Sequence, residues 1–258
     1  MSTVLYTSPI FGPIHSRRLG ISLGINLMPA DGKICTFDCI YCECGRNAGH
    51  RPFSRRPSRD EVRQALESRL IEMKEQGPEP NVLTFAGNGE PTAHPDFPAI
   101  VDDVLTLRDR YFPKAEVSVL SNGTRIFDDS VFAALLRLDN NIQKLDTVSP
   151  DYIGLIDCPV GQYDVEKVID RLCEFKGRVM IQTMFLTGTS GGRDMDNTSD
   201  LYVDPWLEAL QRIRPYKVFI YTIARETPVP TLAKAPSSVL DGIAGRLRAL
   251  GFETVVSY

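Results

Sequence analysis

The chain has 258 residues, of which 43% are hydrophobic and 24% are charged, and its formal net charge is −4 at pH 7. This composition is ordinary for a folded globular protein and excludes a disordered or collagen-like chain. The acidic balance argues against a generally basic nucleic-acid-binding surface, so DNA is not expected as a partner. No apolar run approaches the roughly 18 residues that a membrane span requires, so no membrane association is expected.

The N-terminal region does not resemble a secretory signal. Arg17 and Arg18 follow the first apolar stretch instead of preceding it, and Pro9 and Pro13 interrupt that stretch. We therefore expect a cytoplasmic protein in which residues 1–18 form an N-terminal extension. In that reducing compartment the cysteines are expected to stay free of disulfide bonds.

Short apolar runs alternate with helical patterns along the chain. The predicted strands cover Gly20–Leu27, Val82–Ala86, Glu116–Leu120, Lys144–Val148, Val179–Phe185, Val218–Thr222 and Thr254–Ser257. The predicted helices begin at the capping box of Ser58 and Glu61 and near Asp96, and then cover Asp129–Leu138, Val165–Phe175, Pro205–Ile213 and Ser237–Leu250. This alternation predicts an α/β fold with a parallel sheet and right-handed crossovers.

Two parallel architectures are compatible with that alternation. Six strand–helix units with no Gly-x-Gly-x-x-Gly motif after the first strand favour a partial (β/α)6 TIM-like barrel over an open doubly wound sheet. We see no linker that would mark a second domain, so residues 1–258 are expected to form a single domain.

Unusual polar motifs follow the predicted strands. A cysteine cluster follows the first strand, Gly87–Pro91 follows the second, Ser121–Thr124 the third and Ser149–Asp151 the fourth. In a β/α barrel these loops emerge at the carboxyl ends of the strands, where active sites lie. Polar loops are common at strand ends, so this arrangement alone is modest evidence for a site.

The chain has six cysteines, and Cys35, Cys39 and Cys42 form a C-x3-C-x2-C pattern. Three thiolates on one loop can bind three corners of a cubane [4Fe-4S] cluster and leave the fourth iron open to another ligand. The alternatives are a structural zinc site with Cys44 as fourth ligand and a ferredoxin-type electron carrier. Zinc sites usually draw their ligands from two separated segments, and a carrier needs a fourth cysteine at a different spacing, so the open cluster is favoured.

The cysteine loop, with Tyr41 directly before its last cysteine, resembles the signature of the radical SAM superfamily. Gly87-Asn88-Gly89-Glu90-Pro91 resembles the Gly-Gly-Glu-Pro element of that superfamily. Further likeness points to the branch that contains wyosine-type tRNA-modifying enzymes and uncharacterised iron–sulfur oxidoreductases. It is carried by Phe11-Gly12-Pro13, Ser16–Gly20, Thr36-Phe37-Asp38, Gly89–Thr92, His94-Pro95, Ile181-Gln182-Thr183 and Tyr221-Thr222-Ile223.

The resemblance implies an oxidoreductase- or transferase-type enzyme. It would use a [4Fe-4S] cluster on Cys35, Cys39 and Cys42 to cleave S-adenosylmethionine reductively to a 5′-deoxyadenosyl radical, which abstracts a hydrogen atom from a substrate. It also implies an external reductant, flavodoxin or ferredoxin. We assign residues 31–58 to the cluster-binding loop and the basic segment that follows it.

Several residues are expected to contact S-adenosylmethionine. Glu90 is suited to accept hydrogen bonds from its ammonium group, and Gly87 and Gly89 would let the backbone approach it closely. Without the cysteines, the same segment would be interpreted as a polar turn. The other expected contacts are Phe37, Tyr41, Ser121, Asn122, Asp146 and Gln182. Each of these also has an ordinary structural explanation as a packing, turn or internally satisfied polar residue, and no catalytic residue is assigned.

The substrate is left open by the sequence. Six arginines between positions 46 and 63 stand against Asp60 and Glu61 and are suited to bind phosphates of tRNA or of a nucleotide, although a solvated loop and helix start explains them slightly better. No cysteine precedes Cys35, and Asp157-Cys158-Pro159 stands where wyosine enzymes are expected to have Asn-Arg-Pro. An activase that installs a glycyl radical on a partner protein, peptide modification and a non-catalytic electron carrier are the alternatives.

The remaining cysteines have no assigned role. Cys44, Cys158 and Cys173 are too scattered to bind a second cluster, and Cys173 is expected to pack in the core.

Overall fold

The structure is a computed structural model that describes residues 4–16 and 20–258; Arg17, Arg18 and most of the Ser16–Gly20 motif lie outside them. An eight-stranded sheet is the centre of the fold. Its strands, in spatial order, are β1 Ile10–Ser16, β2 Gly20–Ile25, β3 Val82–Phe85, β4 Glu116–Ser121, β5 Asn140–Lys144, β6 Met180–Met184, β9 Lys217–Tyr221 and β11 Thr254–Ser257. All neighbouring pairs are parallel except β1 and β2. The predicted α/β partial barrel is confirmed.

A small antiparallel sheet lies outside the barrel. It consists of β7 Leu186–Ser190, β8 Arg193–Asp194 and β10 Leu232–Lys234. Its first two strands follow β6 directly, in a segment rich in Gly and Asp. The backbone of β10, which lies more than 40 residues later in the sequence, pairs with β7 and holds it in an extended conformation.

The helices form the outer layer of the fold. They are α1 Arg59–Gln76, α2 Phe97–Tyr111, α3 Asp129–Leu135, α4 Pro150–Ile156, α5 Val165–Cys173, α6 Asp200–Ile213 and α7 Ser237–Ala249. One hydrophobic core joins them to alternate strand residues such as Leu23 and Val117, whereas Ile142, Met180 and Phe219 form a separate cluster. The helices therefore cover one face of the sheet. The strand residues of the separate cluster have their side chains on the opposite face. Within the described ranges, no helix is both long and apolar enough to cross a bilayer.

Most predicted boundaries agree with the structure to within a few residues, but the fourth predicted strand is wrong. The observed strand, β5, covers Asn140–Lys144, so it ends at the first residue of the predicted strand. Four of its five residues are polar or charged, yet all five are buried, and Asn140 and Lys144 are satisfied by side chains from other segments. The Asn140 amide, for example, donates to Glu116 Oε2 at 2.7 Å and to Ser118 Oγ at 2.9 Å. As a consequence Ser149, predicted in a loop, is instead the N-cap of α4.

Candidate functional site

The cysteine loop crosses the carboxyl ends of the parallel strands between β2 and α1. Two neighbouring segments hold it there through backbone hydrogen bonds. On one side Ile34 forms a bridge with Gly89, in the loop after β3, and Ile34 N donates to Asn88 O at 3.0 Å. On the other side Phe37 forms a bridge with Pro159, after α4. The protein's own backbone therefore holds both sides of the loop in place.

The three cysteines of the motif lie in different electrostatic surroundings. Burial raises the pKa of Cys35 to about 12 and raises the pKa of Cys39 well above its ordinary value. The pKa of Cys42 is instead lowered to about 6, because the neighbouring Cys44 thiol and the Lys33 ammonium stabilise its thiolate. Cys42 is therefore the thiol of the three that most readily loses its proton.

Lys33 is a member of this site that the sequence reasoning missed, because a lysine in a polar loop normally lies in solvent. Its side chain is 1% exposed, and Nζ donates to Gly45 O at 2.8 Å. Burial alone would lower the lysine pKa, but the thiolates of Cys42, Cys35 and Cys39 raise it. Its position two residues before the first cysteine was the only signal in the sequence.

These residues fit an iron–sulfur cluster. Three thiols converge on one buried cation, and thiolates are the usual ligands of such clusters. In the parts of the chain that the structure describes, no three His, Cys, Asp or Glu side chains are grouped tightly enough to hold a single metal ion. A cubane cluster does not require such a group, because each cysteine binds a different iron atom.

The glycine-rich segment after β3 is shaped by the cysteine loop. Gly87 has φ +119° and Gly89 has φ +138°. A Cβ atom on Gly89 would lie 1.8 Å from the Ile34 carbonyl oxygen. Between them, the buried Asn88 amide donates to Tyr6 O at 2.9 Å and to Pro29 O at 2.8 Å. In this structure the backbone that approaches Gly89 belongs to the cysteine loop, and a contact of the glycines with S-adenosylmethionine stays a prediction.

The close approach at Gly89 gives a test of this packing. We expect Gly89→Ala to lower the free energy of unfolding by about 3 kcal/mol, because the new methyl group meets backbone and the residue keeps a positive φ. Gly154→Ala, within α4, is the matched control, since no atom lies within 4 Å of a Cβ there; it should be neutral or slightly stabilising. Anaerobic urea unfolding of both variants measures the difference, and equal stability of Gly89→Ala and wild type would contradict the packing argument.

Glu90 joins two of the loops that sequence analysis singled out. The residue is 2% exposed; one carboxylate oxygen accepts from Thr92 N at 3.0 Å and the other from Asn122 N at 2.7 Å. Burial raises its pKa even though these donors, together with Ser121, oppose the shift. The Asn122 amide in turn lies 3.7 Å from Cys35 Sγ. The structure thus brings Glu90, Ser121 and Asn122 together beside the first cysteine.

A buried charge network lies on the other side of the loop. The Lys144 ammonium, at the end of β5, contacts the Tyr41 hydroxyl and the Asp146 carboxylate, and lies 2.8 Å from Asp157 Oδ1. That same oxygen accepts from Cys39 Sγ at 3.6 Å. Burial raises the pKa of Asp157 to about 6. Sequence analysis assigned no role to Lys144, and it noted Asp157 only as part of the Asp157-Cys158-Pro159 segment that departs from the wyosine enzymes.

Two of the residues that were expected to contact S-adenosylmethionine belong to this network. Tyr41 and Asp146 hydrogen-bond to each other, and Asp146 also accepts from Met184 N at 2.9 Å. Both residues lie at the site, with partners supplied by the protein itself.

Phe37 and Gln182 are the last two residues that were expected to contact S-adenosylmethionine, and they lie in different surroundings. Phe37 is 2% exposed and packs edge-on against Tyr163, with ring centroids 5.1 Å apart. Gln182 on β6 pairs in register with Lys144 and with Phe219, so it lies on the same face of the sheet as the lysine. The geometry places Gln182 beside the network and Phe37 in the packing under the cysteine loop.

Comparison with known proteins gives an independent view of the chain. The family model described as the radical SAM superfamily matches residues 31–202, about two thirds of the chain. A protein of Brachyspira hyodysenteriae named GTPase Obg is 29% identical over 228 residues, which are 86% of this chain and 31% of that protein. A protein of Helicobacter pylori named UPF0026 is 27% identical over 231 residues, 88% of this chain and 68% of that protein. This chain therefore spans about a third of the first relative and about two thirds of the second.

A solved structure supports the fold. The crystal structure of a radical SAM methyltransferase from Sphaerobacter thermophilus superimposes with a TM-score of 0.67 at 16% identity, covering 91% of this chain and 65% of that one. At this level of identity the likeness concerns the fold alone.

Proposed function

The chain belongs to the radical SAM superfamily, and on this premise we propose that it cleaves S-adenosylmethionine reductively and uses the product radical to abstract a hydrogen atom from a substrate. When bound, a [4Fe-4S] cluster supplies one electron that breaks a sulfur–carbon bond of S-adenosylmethionine, giving methionine and a 5′-deoxyadenosyl radical. The observation that carries the proposal is the placement of Cys35, Cys39 and Cys42, all half-buried, on one loop that is fixed across the carboxyl ends of the parallel strands.

We assign the ligand-holding roles to the residues that meet on this loop. Cys35, Cys39 and Cys42 would hold the cluster, within a cluster-binding segment at 31–58 of a single core domain. Glu90 would face the amino group of S-adenosylmethionine, since its buried carboxylate lies next to Cys35. Ser121, Gly87 and Gly89 would complete the surroundings, and Gln182 and Asp146 would border the substrate side.

The protein would also exclude water from the reacting centre. The cysteine loop is held on both sides by backbone bridges, and the Lys144 network closes the space beneath Tyr41. A reactive radical requires such a closed site, because solvent and side reactions would otherwise quench it. An external reductant, flavodoxin or ferredoxin, would supply the electron.

The arginine segment gives limited support to an RNA or nucleotide substrate. Arg46 lies 3.2 Å from Asp38, Arg55 lies 2.7 Å from Glu61, and Arg59 lies 2.6 Å from Asp103. These ion pairs within the chain reduce the charge that a polyanion would meet.

The test of the proposed function is the formation of 5′-deoxyadenosine. We expect anaerobically reconstituted protein, supplied with dithionite and S-adenosylmethionine, to produce it in at least stoichiometric amount, as measured by liquid chromatography and mass spectrometry. A brown protein without this product would be an electron carrier. A colourless protein that contains zinc would contradict the cluster itself.

A further inference from the structure

Residues 46–53 lie along the cysteine loop and are hydrogen-bonded to it near both ends. Near one end, the Asn47 side-chain amide donates to Cys35 O at 3.3 Å. Near the other end, His50 O accepts from Lys33 N at 2.6 Å. Because two residues of chain span at most about 7 Å, the His50 carbonyl lies within roughly 10 Å of the Cys35 backbone. The 46–53 segment is therefore close to any cluster that the cysteine motif binds.

Phe53 projects from the end of this segment into solvent. Its relative exposure is 101%, yet the backbone beneath it is anchored, because Phe53 N and Ser54 N each donate to Asp31 Oδ2 at 3.0 Å. A Cβ atom on Gly32 would lie 2.5 Å from Pro52 N, so the turn also packs tightly on the start of the cysteine loop. A partner that binds Phe53 would lose little free energy to ordering this turn.

Arg51 places a positive charge two residues from Phe53. The other exposed or half-exposed arginines of this region, Arg46, Arg55 and Arg59, each pair with a carboxylate of the chain. Arg51 is exposed and forms no ion pair with the part of the chain that the structure describes. An exposed phenylalanine by itself is common on protein surfaces. Beside an unpaired arginine it matches the composition of protein–protein interfaces, where aromatic residues and arginine are enriched.

We propose that Arg51 and Phe53 form the docking surface for an acidic electron-transfer protein that reduces the cluster. The proposal rests on the proposed function, which requires a one-electron donor from outside the chain. The formal net charge of −4 would repel an acidic donor in general, and the positive charge of Arg51 would steer it to the 46–53 segment. Electron transfer slows steeply with distance, so a donor docked against the cysteine loop is well placed to reduce the cluster.

A single-stranded RNA would fit this surface less well. Proteins that bind single strands stack successive bases on several aromatic side chains along a basic groove. Phe53 is the only Phe, Tyr or Trp between positions 46 and 63, and the carboxylate of Asp31 lies against its backbone. A protein partner can place one carboxylate against Arg51 and avoid Asp31, whereas an RNA strand carries a negative charge at every phosphate.

The experiment compares two ways of reducing the reconstituted protein. Two acidic proteins, a reduced flavodoxin and a reduced ferredoxin, are the probes that must dock, and dithionite is the small donor that needs no docking surface. The readout is the rate of 5′-deoxyadenosine formation with a limiting protein donor, divided by the rate with dithionite. We expect Arg51→Glu and Phe53→Ala each to lower this ratio at least about tenfold, as expected when an interface anchor is removed.

Lys114→Glu is the matched control for the charge reversal. Lys114 is exposed and lies between α2 and β4, at the amino end of that strand and so at the opposite end of the barrel from the cysteine loop. It should keep the wild-type ratio. Arg51→Gln removes the charge without reversing it and decides the matter if Arg51→Glu does not bind the cluster. High salt should slow wild-type turnover with the protein donor and affect Arg51→Glu much less, because salt screens exposed charges.

Three results would overturn the proposal. The first is an unchanged ratio in both the Arg51 and the Phe53 variants. The second is a wild-type protein that forms product with dithionite but with neither protein donor. The third is weaker binding of bulk tRNA by the same variants, by about tenfold or more, with an unchanged ratio, since the segment would then be an RNA-binding surface.

The two proposals fail in different ways. If the wild-type protein forms no 5′-deoxyadenosine with dithionite, the proposed function fails. If it forms the product with dithionite and with a protein donor while the Arg51 and Phe53 variants keep the wild-type ratio, only the docking surface is wrong.

Discussion

Replacing Cys39 with alanine is expected to remove the iron–sulfur cluster and to reduce 5′-deoxyadenosine formation to background. Cys39 would be one of only three protein ligands, so its loss leaves two thiols for a centre that already has one open iron. Its sulfur lies 3.6 Å from Asp157 Oδ1, next to the Lys144 network. Iron and sulfide content, visible absorbance and product formation would be measured together under anaerobic conditions.

Cys173→Ala is the matched control for this substitution. Cys173 ends α5 and packs against the main core, far from the motif in the fold. We expect it to keep four irons per chain and wild-type product formation. Undiminished turnover in Cys39→Ala would remove the basis for the three-cysteine site.

Replacing Lys144 with methionine is expected to lower the free energy of unfolding by about 3–5 kcal/mol, because it leaves buried carboxylates without their cation. The side chains of Lys144, Asp146 and Asp157 are 8%, 0% and 4% exposed. Methionine fills a volume similar to that of lysine, so the loss of stability reflects the missing charge and not a cavity. Anaerobic urea unfolding, with both proteins in the same cofactor state, provides the measurement.

The dependence of this loss on pH follows from the burial of the carboxyl groups. The pKa of Asp157 is already raised by burial to about 6 in the presence of the lysine, above the roughly 3.9 of an unfolded aspartate. A group with a raised folded pKa binds more protons in the folded state, so its contribution to stability falls as the pH rises through that range. We therefore expect Lys144→Met to lose less stability at pH 5 than at pH 8.

Neutralising the carboxylates should restore the variant. Lys144→Met combined with Asp146→Asn and Asp157→Asn removes all three charges and is expected to recover most of the lost stability. If Lys144→Met were as stable as wild type at pH 8, the buried ion pairs would have no energetic role and the network would be only a packing arrangement.

The sequence by itself determined the fold class and the position of the cysteine site. Alternating apolar runs and helical patterns predict the parallel sheet because their periods follow from local geometry. The C-x3-C-x2-C spacing places Cys35, Cys39 and Cys42 on one loop whatever surrounds them. The order of motifs along the chain also predicted that this loop and Glu90 meet, since all parallel strands end at the same edge of a barrel.

Only the tertiary structure decided what surrounds the cysteines. Lys33 and Lys144 look like surface residues in the sequence, and β5 looks too polar for a buried strand. Lys144 and Asn140 are buried because partners reach them from other segments, such as Tyr41 for Lys144 and Glu116 for Asn140. Lys33 is enclosed by the folded cysteine loop itself, where it donates to Gly45 O. A buried charge or amide is stable only when such partners are in place, and their proximity is a property of the folded chain that no local pattern contains.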